Sequence, residues 1–196
     1  MDEAGEITTE EQRDPEQEAR RRLALAQIHQ YPDPVLRMRA PEVETFDDDL
    51  LRLVERMKML MHDASGVGLA ATQVGVLRRL FVFQLTTADG DDEDAEPETE
   101  TLAIVNPTIV ERGEETEVDD EGCLSLQGVL VPVERVTRLR VEGADERGNP
   151  VRYDLEALQA RVVQHEVDHL DGTLILDRTN DEARREALGT LRPRLA

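Results

Sequence analysis

Between Asp47 and His62 the apolar residues Leu50, Leu53, Val54, Met57, Leu60 and Met61 recur at the spacing of one helix face, and Asp47 is placed to cap it. The pattern predicts an amphipathic helix packed against a sheet. Leu80–Leu85 and Leu102–Asn106 read as strands, and strand-like runs follow at Thr108–Glu111, Gly128–Val133, Val136–Val141 and Pro150–Tyr153. Turn residues such as Glu146-Arg147-Gly148-Asn149 separate them. A second helix is expected from a cap at Asp154 to Leu170, ending where Gly172 can take up the left-handed conformation. Successive strands followed by a helix, with no internal repeat, predict an α+β fold with antiparallel β-sheets and not an alternating parallel sheet.

Two stretches lack the apolar positions needed to offset the entropy of ordering them. One is an acidic N-terminal extension at 1–24, expected to be flexible. The other is an acidic insert at 88–100, which includes Asp91-Asp92-Glu93-Asp94 and is most simply a long hairpin loop between two strands. Between and beyond them the chain reads as one globular domain at 25–180 with a C-terminal tail at 181–196, where Asp181–Leu191 is compatible with a short helix. Aromatics make up only 3% of the chain and Trp is absent, so the core must be built from Leu, Val, Ile, Ala and Met.

The formal net charge of -21 argues against sequence-independent binding to nucleic acid, and no direct DNA binding is expected. Cys123 is the sole cysteine, so no intrachain disulfide can form. The N-terminus has neither the apolar run of a secretory signal nor the acid-poor character of a transit peptide. No apolar stretch approaches the roughly 20 residues that span a bilayer. A cytoplasmic protein with no membrane association is therefore expected.

The second helix carries Gln164-His165-Glu166-Val167-Asp168-His169, an H-E-x-x-H pattern with two imidazoles one turn apart on one face. They can reach a single metal ion, although two hydrogen-bonded core histidines would produce the same spacing. Glu166 would lie beside such an ion, which suits a general base acting on water there. The third ligand separates families. The metzincin pattern requires histidine where this chain has Ile175, and the downstream carboxylates Glu182 and Glu186 are poorly placed for a thermolysin-like site. Cys123, in Glu121-Gly122-Cys123-Leu124-Ser125, is the remaining soft donor and would complete a Cys-His-His set with one position open. Its other reading is buried filler.

Three separated stretches resemble, in order, the signature motifs of the peptide deformylase family: Gly66-Val67-Gly68-Leu69-Ala70-Ala71-Thr72-Gln73, Glu121-Gly122-Cys123-Leu124-Ser125, and Gln164-His165-Glu166-Val167-Asp168-His169-Leu170-Asp171-Gly172. The likeness extends from Tyr31-Pro32-Asp33-Pro34-Val35-Leu36 to Leu176-Asp177-Arg178. It implies a hydrolase that removes the formyl group from the N-terminal methionine of nascent polypeptides and releases formate. Cys123, His165 and His169 would hold one divalent ion, with Fe(II) expected and Zn, Ni or Co able to replace it. Glu166 would be the acid/base, while the Gln73 side chain and the Leu124 backbone N–H would stabilise the oxyanion. Val67, Gly68 and Gly122 would bind the peptide main chain, and Leu158 and Val162 would line the methionine pocket. Those two apolar residues read equally well as core. The resemblance also makes a monomer the expected state and the ribosome, near its exit tunnel, a candidate partner.

Two departures from the family pattern stand out. Thr72 occupies a position that is often proline, which should leave the backbone path to Gln73 intact. Arg161 adjoins the presumed pocket where many relatives are apolar, so the mouth should be more polar or the charge should reach outward. An endopeptidase and a metal-binding protein without catalysis are the competing readings. The first lacks a convincing further ligand, and the second would require loss of Glu166, Gln73 or Cys123.

Overall fold

In the computed structural model, which describes residues 14–87 and 98–191, the apolar stripe from Leu50 to Met61 is the buried face of a helix. This helix, α2, spans Asp48–Asp63, and the Asp47 carboxylate accepts a hydrogen bond from the Leu50 N–H at its start. It is preceded by α1, Pro15–Leu25. Residues 15–24 therefore depart from the flexible extension expected at 1–24. Ala24 and Leu25 bury themselves in the cluster around α2, and that contact holds the last turn of α1 in place.

Among the described residues seven strands follow: β1 Gly68–Ala70, β2 Leu80–Thr87, β3 Glu98–Arg112, β4 Thr116–Gly122, β5 Leu130–Val136, β6 Arg138–Ala144 and β7 Pro150–Glu156. β1, β2, β3, β6 and β7 form one antiparallel sheet in that order, and β4 pairs with β5 in a second. The fold is α+β, and its centre is α3, Ala157–Leu170. Side chains alternate across β2: Leu80 and Val82 enter the α2 cluster, whereas Phe81 and Phe83 enter the cluster containing Ala160, Val163 and Leu170 of α3. The sheet is thus covered by α2 on one face and α3 on the other. A third cluster joins β5 to the short helix α4, Ile175–Arg178, and to α5, Asp181–Leu191.

The structure shifts several expected boundaries. The two runs assigned to Leu102–Asn106 and Thr108–Glu111 are one strand, β3, because its register shifts between Val105 and Thr108 accommodate Asn106 at φ 53° without ending the pairing. β3 also includes residues 98–100, which the sequence placed in the acidic insert, and the rest of that insert lies outside the described residues. β4 has no apolar alternation and leaves every residue but Glu121 exposed; its pairing to β5 defines it. Asp154 caps nothing. It extends β7 opposite Arg140, to which it is ion-paired, and α3 begins after Glu156. Gly172, at φ +72°, ends α3 as expected, and a Cβ there would lie 2.5 Å from the Arg37 carbonyl oxygen. Among the described residues, no helix is long and apolar enough to cross a membrane.

Candidate metal centre and active site

Burial of Ala160, Val163 and Leu170 against the sheet turns the remaining face of α3 toward β4 and the segment after it. His165 and His169 stand there with ring centroids 4.9 Å apart. Cys123 follows β4 directly, and its Sγ is 3.2 Å from His169 Nε2. The donor atoms of Cys123, His165 and His169 all lie within 4.8 Å of one another. A thiol and two imidazoles are a donor set suited to Fe(II), Zn and related ions.

The two imidazoles differ in protonation preference. Burial opposes charge on His165, but hydrogen bonds to Cys123 and Glu121 outweigh it and raise its pKa well above the ordinary value. His169 is pushed well below, by burial and then by the neighbouring His165 and Arg135 charges. His165 therefore favours a proton and His169 opposes one. Glu121 fixes which nitrogen is available, because it engages His165 Nδ1 at 3.1 Å and leaves Nε2 for the ligand position.

Glu166 is 3% exposed, and its Oε2 has no hydrogen-bond partner among the described residues. Burial pushes its pKa up to about 7, the Glu121 charge adds to this, and His165 and Arg135 oppose it. Such a carboxylate can both take and return a proton near neutrality. It packs against Gly68, where a Cβ would come within 2.4 Å of Glu166 Oε1, so glycine is required by close approach. Gln73 is held in the turn Ala71–Val74: its Oε1 accepts from the Ala70 N–H at 2.8 Å, and its Nε2 donates to Ser125 Oγ at 3.1 Å and lies 3.6 Å from Cys123 Sγ. Thr72 leaves this path intact and donates to the His169 carbonyl. The Leu124 carbonyl accepts from Gln30 Nε2 at 2.9 Å, which anchors that peptide unit.

A cleft of about 690 Å³ gathers almost all of the residues singled out from the sequence. Val67, Gly68, Gln73, Gly122, Cys123, Leu124, Leu158, Val162, His165 and Glu166 line it, and His169 lies buried behind them. Leu158 is 62% exposed, so it belongs to the cleft and not to the core. Val162 is buried and packs in the α3 cluster as well as facing the cleft. Glu182 and Glu186 are exposed on α5, outside the ligand group.

A model of the polypeptide deformylase family matches residues 25–185. The chain belongs to the polypeptide deformylase family. It is 41% identical over 170 residues to peptide deformylase 1 of Corynebacterium efficiens, covering 87% of this chain and 96% of the relative. The crystal structure of a peptide deformylase from Legionella pneumophila superposes with a TM-score of 0.73 at 39% identity, covering 84% of this chain and 91% of that one. The peptide deformylase structure from Thermotoga maritima gives 0.69 at 44% identity, with coverages of 78% and 96%. Deformylases are metal-dependent hydrolases that remove the N-terminal formyl group from nascent polypeptides, and this chain carries that function.

Behind the cleft of this deformylase lies a buried ionic scaffold that the motifs alone do not reveal. Arg135 on β5 donates twice to Glu121, at 2.9 and 3.0 Å, and once to Asp168 at 2.6 Å. Asp168 also receives two hydrogen bonds from Arg178. Arg161 is 8% exposed and lines the cleft without reaching outward, because its guanidinium is drawn onto Glu121 at 3.0 Å and onto the carbonyls of Val133 and Glu117. Burial would raise the Glu121 pKa, but bonds from His165 and Arg135 prevail and hold it down at about 2. Glu121 and Asp168 were visible inside the motifs. Arg135 had no sequence signal, since its strand reads as ordinary alternation.

Proposed function

We propose that this chain deformylates N-formyl-methionyl peptides in the cleft through Glu166, Gln73 and Leu124, with Cys123, His165 and His169 holding one divalent ion. The observation that carries the proposal is the convergence of those three donor atoms within 4.8 Å of one another, beside the buried Glu166. When bound, the ion supplies a Lewis acid that eases deprotonation of water. Glu166 takes the proton and later delivers one to the departing amine, a cycle suited to a carboxyl group poised near 7. The Gln73 amide and the Leu124 N–H bear the negative charge that develops on the formyl oxygen.

Val67, Gly68 and Gly122 hold the peptide backbone in extended form, and Leu158 and Val162 receive the methionine side chain. We assign Fe(II) as the physiological ion, on family resemblance and a donor set that also admits Zn, Ni and Co. The enzyme is assigned to the cytoplasm as a monomer acting on nascent chains, with the ribosome near the exit tunnel as a candidate partner.

The test is formate release from formyl-Met-Ala-Ser by protein prepared anaerobically with Fe(II), alongside Glu166→Ala. Release by wild type, together with its loss in a variant that still retains metal, is the expected result. A folded, metal-loaded wild type that releases no formate overturns the proposal. Cleavage of internal bonds in unformylated peptides would point to an endopeptidase.

A further inference from the structure

The cleft continues past the residues already assigned. A Cβ on Gly68 would meet Glu166, whereas one on Gly66 would meet Leu124 at 2.8 Å. Leu124 and Glu166 thus both pack against the Gly66–Gly68 segment that lines the cleft. Leu124 packs against the cluster that contains Leu25 of α1, while Val162 belongs to the cluster on the opposite face of the sheet. The lining of the cleft therefore includes Leu158 and Val162 of α3 and, from the cluster on the other face of the sheet, Leu25 of α1 together with its neighbour Arg21. Arg21 lies outside the stretch that matches the family model.

We propose that α1 forms a subsite for the peptide downstream of formyl-methionine, in which Arg21 selects an acidic side chain at the second or third residue. The inference rests on the deformylase reading of the cleft. Two arginines line it, and Arg161 is committed to Glu121 and two backbone carbonyls. The fork of Arg21 is less engaged. Its Nη1 lies 3.9 Å from the Glu18 carboxylate, beyond hydrogen-bonding distance, and its Nε is buried without a hydrogen-bond partner among the described residues. A buried donor of this kind is costly until an acceptor arrives, and a carboxylate matches a guanidinium better than a carbonyl does. The net charge of -21 repels acidic peptides at long range, so a local cation is what would let them bind.

The test compares kcat/KM for C-terminally amidated formyl-Met-Asp-Ala, formyl-Met-Ala-Asp and their Lys counterparts, at 0.15 M salt or above to screen the general field. Amidation matters because a free terminal carboxylate would itself engage Arg21. Wild type should favour at least one Asp peptide over its Lys counterpart by about fivefold, mostly through KM, as expected for a contact present equally in ground and transition states. Arg21→Glu should invert the preference, and Arg21→Lys should preserve its direction, which a merely structural role for Arg21 would not produce. An Asp-to-Lys ratio unchanged in Arg21→Glu, with formate still released, overturns the subsite. Absence of formate from every peptide in wild type sinks the deformylase reading itself.

Discussion

The Nδ1 atom of His165 lies 3.1 Å from a carboxylate oxygen of Glu121, which presents the other ring nitrogen on the side of Cys123. A carboxylate behind a ligand histidine fixes its tautomer and strengthens its donation to an ion. Glu121→Gln should therefore weaken metal binding by about 10- to 100-fold. Competition against a chelator measures this directly, and unchanged metal retention would remove Glu121 from the role.

Arg135 and Arg161 both meet Glu121, but they should not be equivalent. Arg135→Met strips a bidentate partner from Glu121 and leaves Asp168 with Arg178 alone, so a loss of about 3–5 kcal/mol is expected in denaturant unfolding. Arg161→Met leaves the bidentate pair in place and should cost less. If the two variants unfold at the same denaturant concentration, the ranking is wrong.

The Glu121 carboxyl has a folded pKa of about 2 against an ordinary 4.5. The folded state thus prefers the ionised form. The associated stability is complete above pH 4.5 and disappears as pH falls toward 2. Glu121→Gln should flatten that acid limb of the stability profile, and an equally steep loss in the variant would contradict the assignment.

Gln73 directs its amide at the thiol and Ser125 while its carbonyl oxygen is fixed by the Ala70 N–H. Gln73→Ala should lower kcat by about 10²–10³-fold, the usual effect of losing one oxyanion donor. Metal content measured alongside separates this from loss of the ion, and a near-wild-type kcat would reassign Gln73 to structure.

Iron held by a thiolate is vulnerable to oxygen. The Fe(II)-loaded protein should lose activity during aerobic incubation, and anaerobic reloading should restore whatever thiol remains reduced. Full activity after prolonged aerobic exposure, with no metal added, would count against iron.

Much of the site was legible because its chemistry is encoded locally. His165, Glu166 and His169 are related by helical period alone, and Gly68 and Gly122 sit inside short motifs whose order along the chain carried the resemblance. Asp47 could be assigned as a cap because capping acts over three residues. Asp154 failed as one because its alternative, pairing with Arg140 across β6 and β7, is a contact between strands. β4 escaped notice for a similar reason: an exposed acidic strand has no hydrophobic rhythm, and only its partner defines it.

The sequence by itself determined the α+β class, the H-E-x-x-H pair on one helix face and the resemblance to the family, since these depend on residue type within short stretches. Tertiary structure alone decided that Arg135 and Arg161 converge on Glu121, that Arg161 turns inward, and that Arg21 joins the lining of the cleft. These relationships join residues from separate elements. The energies of the two contacts to Glu121 come from desolvated charges meeting at about 3 Å, and no periodicity along the chain records such meetings.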